Sequence, residues 1–175
     1  EGVLFTASAH APVLGDYEGI WLCEAQEGSA LVGLTLEYAG AGGEHDGAIY
    51  LTNASPLLEG CTVRGSAANG LYGWGASYPV IRGSTFADNG VDGVSLVGAA
   101  GLGRVCPADT AFDVARQCCL NGSGACVVET EASFADNALA GNGRYGLTVA
   151  ANSVGQVASS TAVSGNAEAG VQITN

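Results

Sequence analysis

A long stretch of this chain repeats with a period of 23 residues. Laid over residues 70–92 without a gap, residues 47–69 match Gly47 with Gly70, Ser55 with Tyr78, Pro56 with Pro79, Leu58 with Ile81, Gly60 with Gly83 and Thr62 with Thr85. The frame recurs at Gly93, Gly146 and Gly170, and upstream Gly19 opens a longer turn in which Gly33 and Thr35 stand like Gly60 and Thr62. A fixed period constrains the fold strongly, because a unit this short cannot bury its own apolar face and must stack on its neighbours. Within each unit, short runs of Val, Ile, Leu, Thr and aromatics alternate with Gly, Asn, Asp and Ser. They read as strands of about three to five residues. The 28 glycines exclude a helical repeat, since each would cost about 1 kcal/mol inside a helix. Glycine does not recur at every third residue, which excludes collagen. The strict rhythm of hexapeptide solenoids and the leucine spacing of leucine-rich repeats are also missing.

The order of motifs is a glycine-led apolar run, then Pro-apolar-apolar-x-Gly-x-Thr, then Asn-x-x-x-Gly. It resembles that of right-handed parallel β-helix proteins of the pectate-lyase-like superfamily. Residues 5–22 (FTASAHAPVLGDYEGIWL) further resemble the lead-in of secreted bacterial β-helix repeat proteins. The resemblance implies an all-β, right-handed parallel β-helix solenoid of about seven coils, forming a single domain over residues 1–175. It does not select an activity, because this fold serves lyases, hydrolases, adhesins and surface proteins alike.

Between Gly93 and Gly146 the frame is stretched, and residues 99–127 read as an insertion. Asp109 or Thr110 is expected to cap a short helix there, with Asp113 in its first turn and Asn121-Gly122 as its stop. Cysteines occur at positions 23, 61, 106, 118, 119 and 126. An even number with four in the insertion points to disulfides, with Cys23, Cys61, Cys106, Cys118, Cys119 and Cys126 as candidates, and to an extracellular or cell-surface location. A zinc site is the rival reading, but C-x-x-C spacing is absent and His10 and His45 lie far away in sequence. Those cysteines would staple a loop too small to hold itself by burial, or a knob that carries recognition.

Asp46, Asn69 and Asp92 each precede a repeat glycine and are expected to form a column along one edge, with Glu44 and Asp88 near by. Stacked carboxylates repel unless protonated, hydrated or bridged, and calcium would suit such oxygens. The simpler reading is that Asp and Asn before Gly are turn residues. Glu44-His45-Asp46 reads as a solvated turn. Trp74 aligns with Leu51 and Val97, which places it in an apolar stack, whereas Tyr72 and Tyr78 are candidates to face outward and stack on sugar rings; Trp21 and Tyr50 fit ordinary packing. Asn53-Ala54-Ser55 and Asn121-Gly122-Ser123 match glycosylation sequons.

The chain carries 17 acidic residues against five basic ones, all arginine, for a net charge of −12. Such a surface repels nucleic acid and acidic sugars. Arg64 and Arg82 fall at different positions of the coil, and no paired aspartates occur, so catalysis is not expected. No apolar run reaches the ~20 residues of a membrane helix. Residues 1–18 precede the first repeat glycine and residues 170–175 open a new coil. The expectation is end-to-end self-association of these two segments in a structural or adhesive module. The alternative is a β-helix that binds or degrades polysaccharide.

Overall fold

The computed structural model describes residues 2–8, 10–25, 28–41, 47–113, 115, 116, 118–127, 131–150 and 157–174. Strand β1 (Val3–Phe5) precedes five coils. The first holds β2 (Ile20–Cys23), β3 (Ala30–Val32) and β4 (Leu34–Glu37); the second holds β5 (Gly47–Thr52), β6 (Leu57–Glu59) and β7 (Thr62–Arg64). The third holds β8 (Asn69–Trp74), β9 (Val80–Arg82) and β10 (Thr85–Ala87). The fourth starts with β11 (Val94–Leu96), is interrupted by β12 (Ala111–Asp113), β13 (Cys118–Leu120) and β14 (Cys126–Val127), and resumes with β15 (Phe134–Ala135) and β16 (Ala138–Ala140). The fifth holds β17 (Tyr145–Ala150) and β18 (Ala162–Ser164), and β19 (Ala169–Thr174) follows. The five complete coils, with one strand before and one after, correct the sequence-based figure of about seven.

Like positions of successive coils pair in parallel. Sheet I is β2-β5-β8-β11-β17-β19, sheet II is β3-β6-β9-β15, and sheet III is β1-β4-β7-β10-β16-β18. In the fifth coil Val157 takes the sheet II position by bridging Phe134. Period-2 alternation sends every second side chain inward, and identical registers stack those side chains into columns. Sheet I supplies Ile49, Leu71, Val94 and Leu147; sheet II supplies Leu58, Ile81 and Phe134; sheet III supplies Leu36, Val63, Phe86 and Leu139, all fully buried. Among the described residues these columns form one continuous core.

The register departs from the sequence frame at one place. Sheets II and III keep the spacing of 23, with Leu58 on Ile81 and Thr62 on Thr85. In sheet I, however, Ile49 pairs with Leu71 and Gly47 with Asn69, a spacing of 22. The corner from Thr52 to Leu57 is one residue shorter than that from Trp74 to Val80, and it absorbs the difference. Trp74 consequently pairs with Thr52, not Leu51. Its side chain points outward and is half exposed, which corrects its expected place in an apolar stack.

Left-handed residues recur at the corners and stack too. After sheet II they are Gly33, Gly60, Gly83 and Asp136, with φ between 55° and 62°. The N–H of each of these glycines donates to the carbonyl that closes the neighbouring strand, Gly33 to Glu59, Gly60 to Arg82 and Gly83 to Ala135. The corner thus continues the ladder.

The excursion leaves the solenoid at Arg104 rather than at residue 99. Ala100 and Leu102 are buried in the core, and the N–H groups of Gly101 and Gly103 donate to Ser77 and Pro79. An antiparallel bridge between Val105 and Glu131 forms its neck. Beyond the neck, β12, β13 and β14 form a small antiparallel sheet. The helix expected from Asp109 or Thr110 is therefore a strand. Asp109 is left-handed (φ 63°) and ends a turn, and the Asp113 carboxylate accepts the Arg116 N–H at 2.8 Å, reversing the chain into β13 where a helix would have continued.

Candidate functional site

Four features outside the regular ladders carry chemistry: the turn ridge, a buried amide ladder, the outer face of sheet I, and the open ends with the stapled excursion.

On the ridge, Asn69 begins β8 and Asp92 stands just before β11. The Asn69 Oδ1 accepts the Asp92 N–H at 3.0 Å, so the column expected from sequence exists for these two residues. Asp46, Glu44 and His45 lie outside the described residues. The Asp92 carboxylate is fully buried and accepts three hydrogen bonds: Arg144 Nε to Oδ1 and Nη2 to Oδ2, both 2.8 Å, and the Tyr145 N–H to Oδ1 at 3.2 Å. Arg144 thus compensates the charge of this buried carboxylate. That pairing raises the guanidinium pKa further, with burial opposing. The Arg144 guanidinium also covers the Tyr145 ring, 5.1 Å from its centroid. Among the described residues no group of three or more His, Cys, Asp or Glu is placed to hold a metal ion. Asp88 is exposed at the neighbouring corner, left-handed at φ 54°, and serves as a turn residue.

The amide ladder was not singled out from sequence. The Asn89 Nδ2 donates to Asn142 Oδ1 at 3.0 Å, and the Asn142 Nδ2 donates to Asn166 Oδ1 at 2.8 Å. Each Oδ1 also accepts a backbone N–H from the preceding coil, Ser66 to Asn89, Asn89 to Asn142 and Asn142 to Asn166. The signal was present: each asparagine stands four positions before a repeat glycine, within the Asn-x-x-x-Gly motif. Its role as a mutual donor and acceptor is a property of stacking. A second column uses Ser84 and Asn137, with the Asn137 Oδ1 accepting the Ser84 N–H at 2.9 Å.

On the outer face of sheet I, Trp21, Tyr50 and Tyr72 occupy one column. Tyr50 and Tyr72 stack at 5.6 Å with 14° between their planes, and Trp21 meets Tyr50 edge-on at 5.7 Å. Tyr72 thus faces outward as expected, but one ring face is turned on Tyr50. Trp74 lies across Gly98, where an added Cβ would stand 3.0 Å from the indole. Trp21 and Trp74 remain 55% and 50% exposed, whereas Tyr78 is half-buried at the corner after β8.

Of the six candidate cysteines, Cys106 bonds Cys119 and Cys118 bonds Cys126. Cys23 and Cys61 are free thiols, which corrects the expectation of a bridge for them. Cys23 ends β2 on the outer face of sheet I, whereas Cys61 turns into the core between β6 and β7, so the two point away from each other. Burial pushes the Cys61 thiol pKa up, against hydrogen bonds that partly offset it. Two disulfides fit an oxidising compartment.

At the ends the inward columns run out. Phe5 lies on the Leu36 column and is 49% exposed; at the far end Val171 and Ile173, on the Leu147 and Val149 columns, are 47% and 73% exposed. Sheet III reaches one strand further at the first end, and sheet I one strand further at the last.

Among the described residues no helix is long and apolar enough to cross a membrane. No curated protein and no solved structure gives a match. The family model described as right handed beta helix region matches residues 19–175, in agreement with the stacked coils, and the chain belongs to this right-handed β-helix family.

Proposed function

We propose that this protein is a non-catalytic, extracellular structural module that associates end to end with further copies of itself. The observation that carries the reading is the pair of open ends. Among the described residues the apolar columns finish in exposed Phe5, Val171 and Ile173, and the outermost strands at both ends have one edge without a strand partner. Such edges are templates for strand addition. The offset between the sheets makes them complementary: β19 of one copy would pair with β2 of the next in sheet I, and β18 with β1 in sheet III. Fully burying a Val, Ile or Phe side chain contributes about 1.5–3 kcal/mol, so three such residues favour contact. The extracellular reading draws on the two disulfides. The non-catalytic reading draws on Asp92, whose carboxylate is held by Arg144 and Tyr145.

The exposed Trp21 and Trp74 on sheet I support a second reading, a β-helix that binds or degrades polysaccharide. Sedimentation velocity across a dilution series, with negative-stain microscopy, separates the two. Concentration-dependent rods support assembly. A monomer at every concentration, together with oligosaccharide release from a polysaccharide panel, overturns it.

A further inference from the structure

Cys118 and Cys119 are neighbours in β13, yet they enter different bridges, Cys118 with Cys126 and Cys119 with Cys106. Adjacent strand residues point to opposite faces, so the two bridges lie on opposite faces of the small antiparallel sheet. Cys119 is fully buried and Cys106 half-buried, and their bridge ties the middle strand back to the neck beside Val105. Cys126 is exposed and Cys118 half-buried.

The outer bridge, Cys118–Cys126, fastens a hairpin that hydrogen bonds already close. Its cysteines stand 8 residues apart in sequence, and β13 and β14 pair Cys119 with Val127 and Leu120 with Cys126. Within the turn, the Asn121 N–H donates to the Ala125 carbonyl at 3.0 Å and the Gly124 N–H to the Asn121 carbonyl at 2.8 Å. The Asn121 Oδ1 also accepts the N–H groups of Ser123 at 3.1 Å and Ala125 at 2.9 Å. A cross-link over so short a loop removes little entropy from the unfolded chain. The inner bridge differs in kind, because Cys106 lies outside β12–β14 and is joined to β13 by no ladder.

We propose that Cys118–Cys126 is a thiol-exchange site, opened by a small-molecule monothiol at exposed Cys126 while the inner bridge stays closed. Access and thiolate attack decide which disulfide reacts, and exposed bridges are the labile ones. The incoming thiolate attacks the Cys126 sulfur; a new S–S bond forms, the Cys118–Cys126 bond breaks, and Cys118 leaves as a thiolate that takes a proton from water. A second thiolate attacks the monothiol's own sulfur in this mixed disulfide and releases Cys126. The protein gains two electrons, and two thiols become one small disulfide. Since Cys118 points away from Cys119, the freed sulfur is not aimed at the inner bridge. Exchange therefore changes the tip of the excursion and leaves the rod as it was.

The test uses the whole oxidised chain, with Cys23 first blocked by iodoacetamide. It is exposed to 2-mercaptoethanol at mildly alkaline pH without denaturant, quenched with N-ethylmaleimide and mapped by peptide mass spectrometry, with amide exchange followed in parallel. Cys126 should carry the mixed disulfide, or the maleimide together with Cys118, at least about tenfold faster than Cys106 and Cys119 are labelled. Amide protection in sheets I–III should not change. Equal rates, earlier opening of Cys106–Cys119, no opening without denaturant, or loss of protection in the three sheets overturns the proposal. Cys118→Ser combined with Cys126→Ser should keep the β12–β13 pairing protected; loss of that pairing would make the outer bridge a structural one and equally overturn it.

Discussion

Arg144 grips Asp92 through two parallel hydrogen bonds of 2.8 Å, across 52 residues of sequence that include the whole excursion. The carboxylate is fully buried, whereas the Arg144 side chain is 42% exposed. Removing the cation leaves an uncompensated buried charge, a loss of about 3 kcal/mol. Arg144→Leu should therefore lower the urea midpoint strongly, and adding Asp92→Asn to it should recover part of the loss. A change under about 0.5 kcal/mol for Arg144→Leu would mark the pair as an ordinary surface contact.

Asn142 is the centre of the amide ladder. Its Oδ1 accepts from Asn89, and its Nδ2 donates to the Phe86 carbonyl at 3.2 Å and to Asn166. Asn142→Leu strands buried partners on both sides and should cost about 2–4 kcal/mol, since each unmet buried group costs about 1–3 kcal/mol. Chemical denaturation measures it, and a neutral result would show that water replaces the amide.

Two glycines separate conformational from steric cost. Gly60 has φ 60° and open space where a Cβ would go, so Gly60→Ala should lose only the left-handed penalty of about 1–2 kcal/mol, and Gly60→Asn less. At Gly143 a Cβ would stand 2.2 Å from the Gly90 carbonyl oxygen of the coil below. Gly143→Ala should lower the melting temperature well beyond Gly60→Ala, and equal shifts would argue that the coils part easily at that point.

The free thiols should differ in reactivity. Cys23 is exposed and should react with iodoacetamide in the native state; Cys61 is buried, with its pKa raised by desolvation, and should react only on unfolding. The same shift predicts a pH dependence. The unfolded chain ionises Cys61 first, near the ordinary thiol value of about 8.5, so stability falls as pH rises through that region. Cys61→Ser should remove that part of the slope, and native labelling of Cys61 would contradict its burial.

Much of the fold could be read from the repeat, because stacking converts a spacing in sequence into a contact in space. Leu58 on Ile81 and Thr62 on Thr85 follow directly. Trp74 was misplaced because a single residue's difference between two corners shifts the register, and a one-residue slip turns every side chain to the opposite face. The helix expected after Asp109 failed for another reason: its capping residues also make reversing turns, and the choice fell to strand pairing beyond them. Asp92 was found in its column with Asn69, but its partner was not, since Arg144 comes into reach only once the excursion is folded out of the frame.

The excursion enters and leaves through one neck, while all three sheets keep their pairing across the 53-residue span as they do across 23 residues. Tension along the axis would pass from β8 through β11 to β17, and from β10 to β16, by hydrogen bonds alone. The excursion lies off that load path, so it can be deformed or occupied without slackening the rod that carries it.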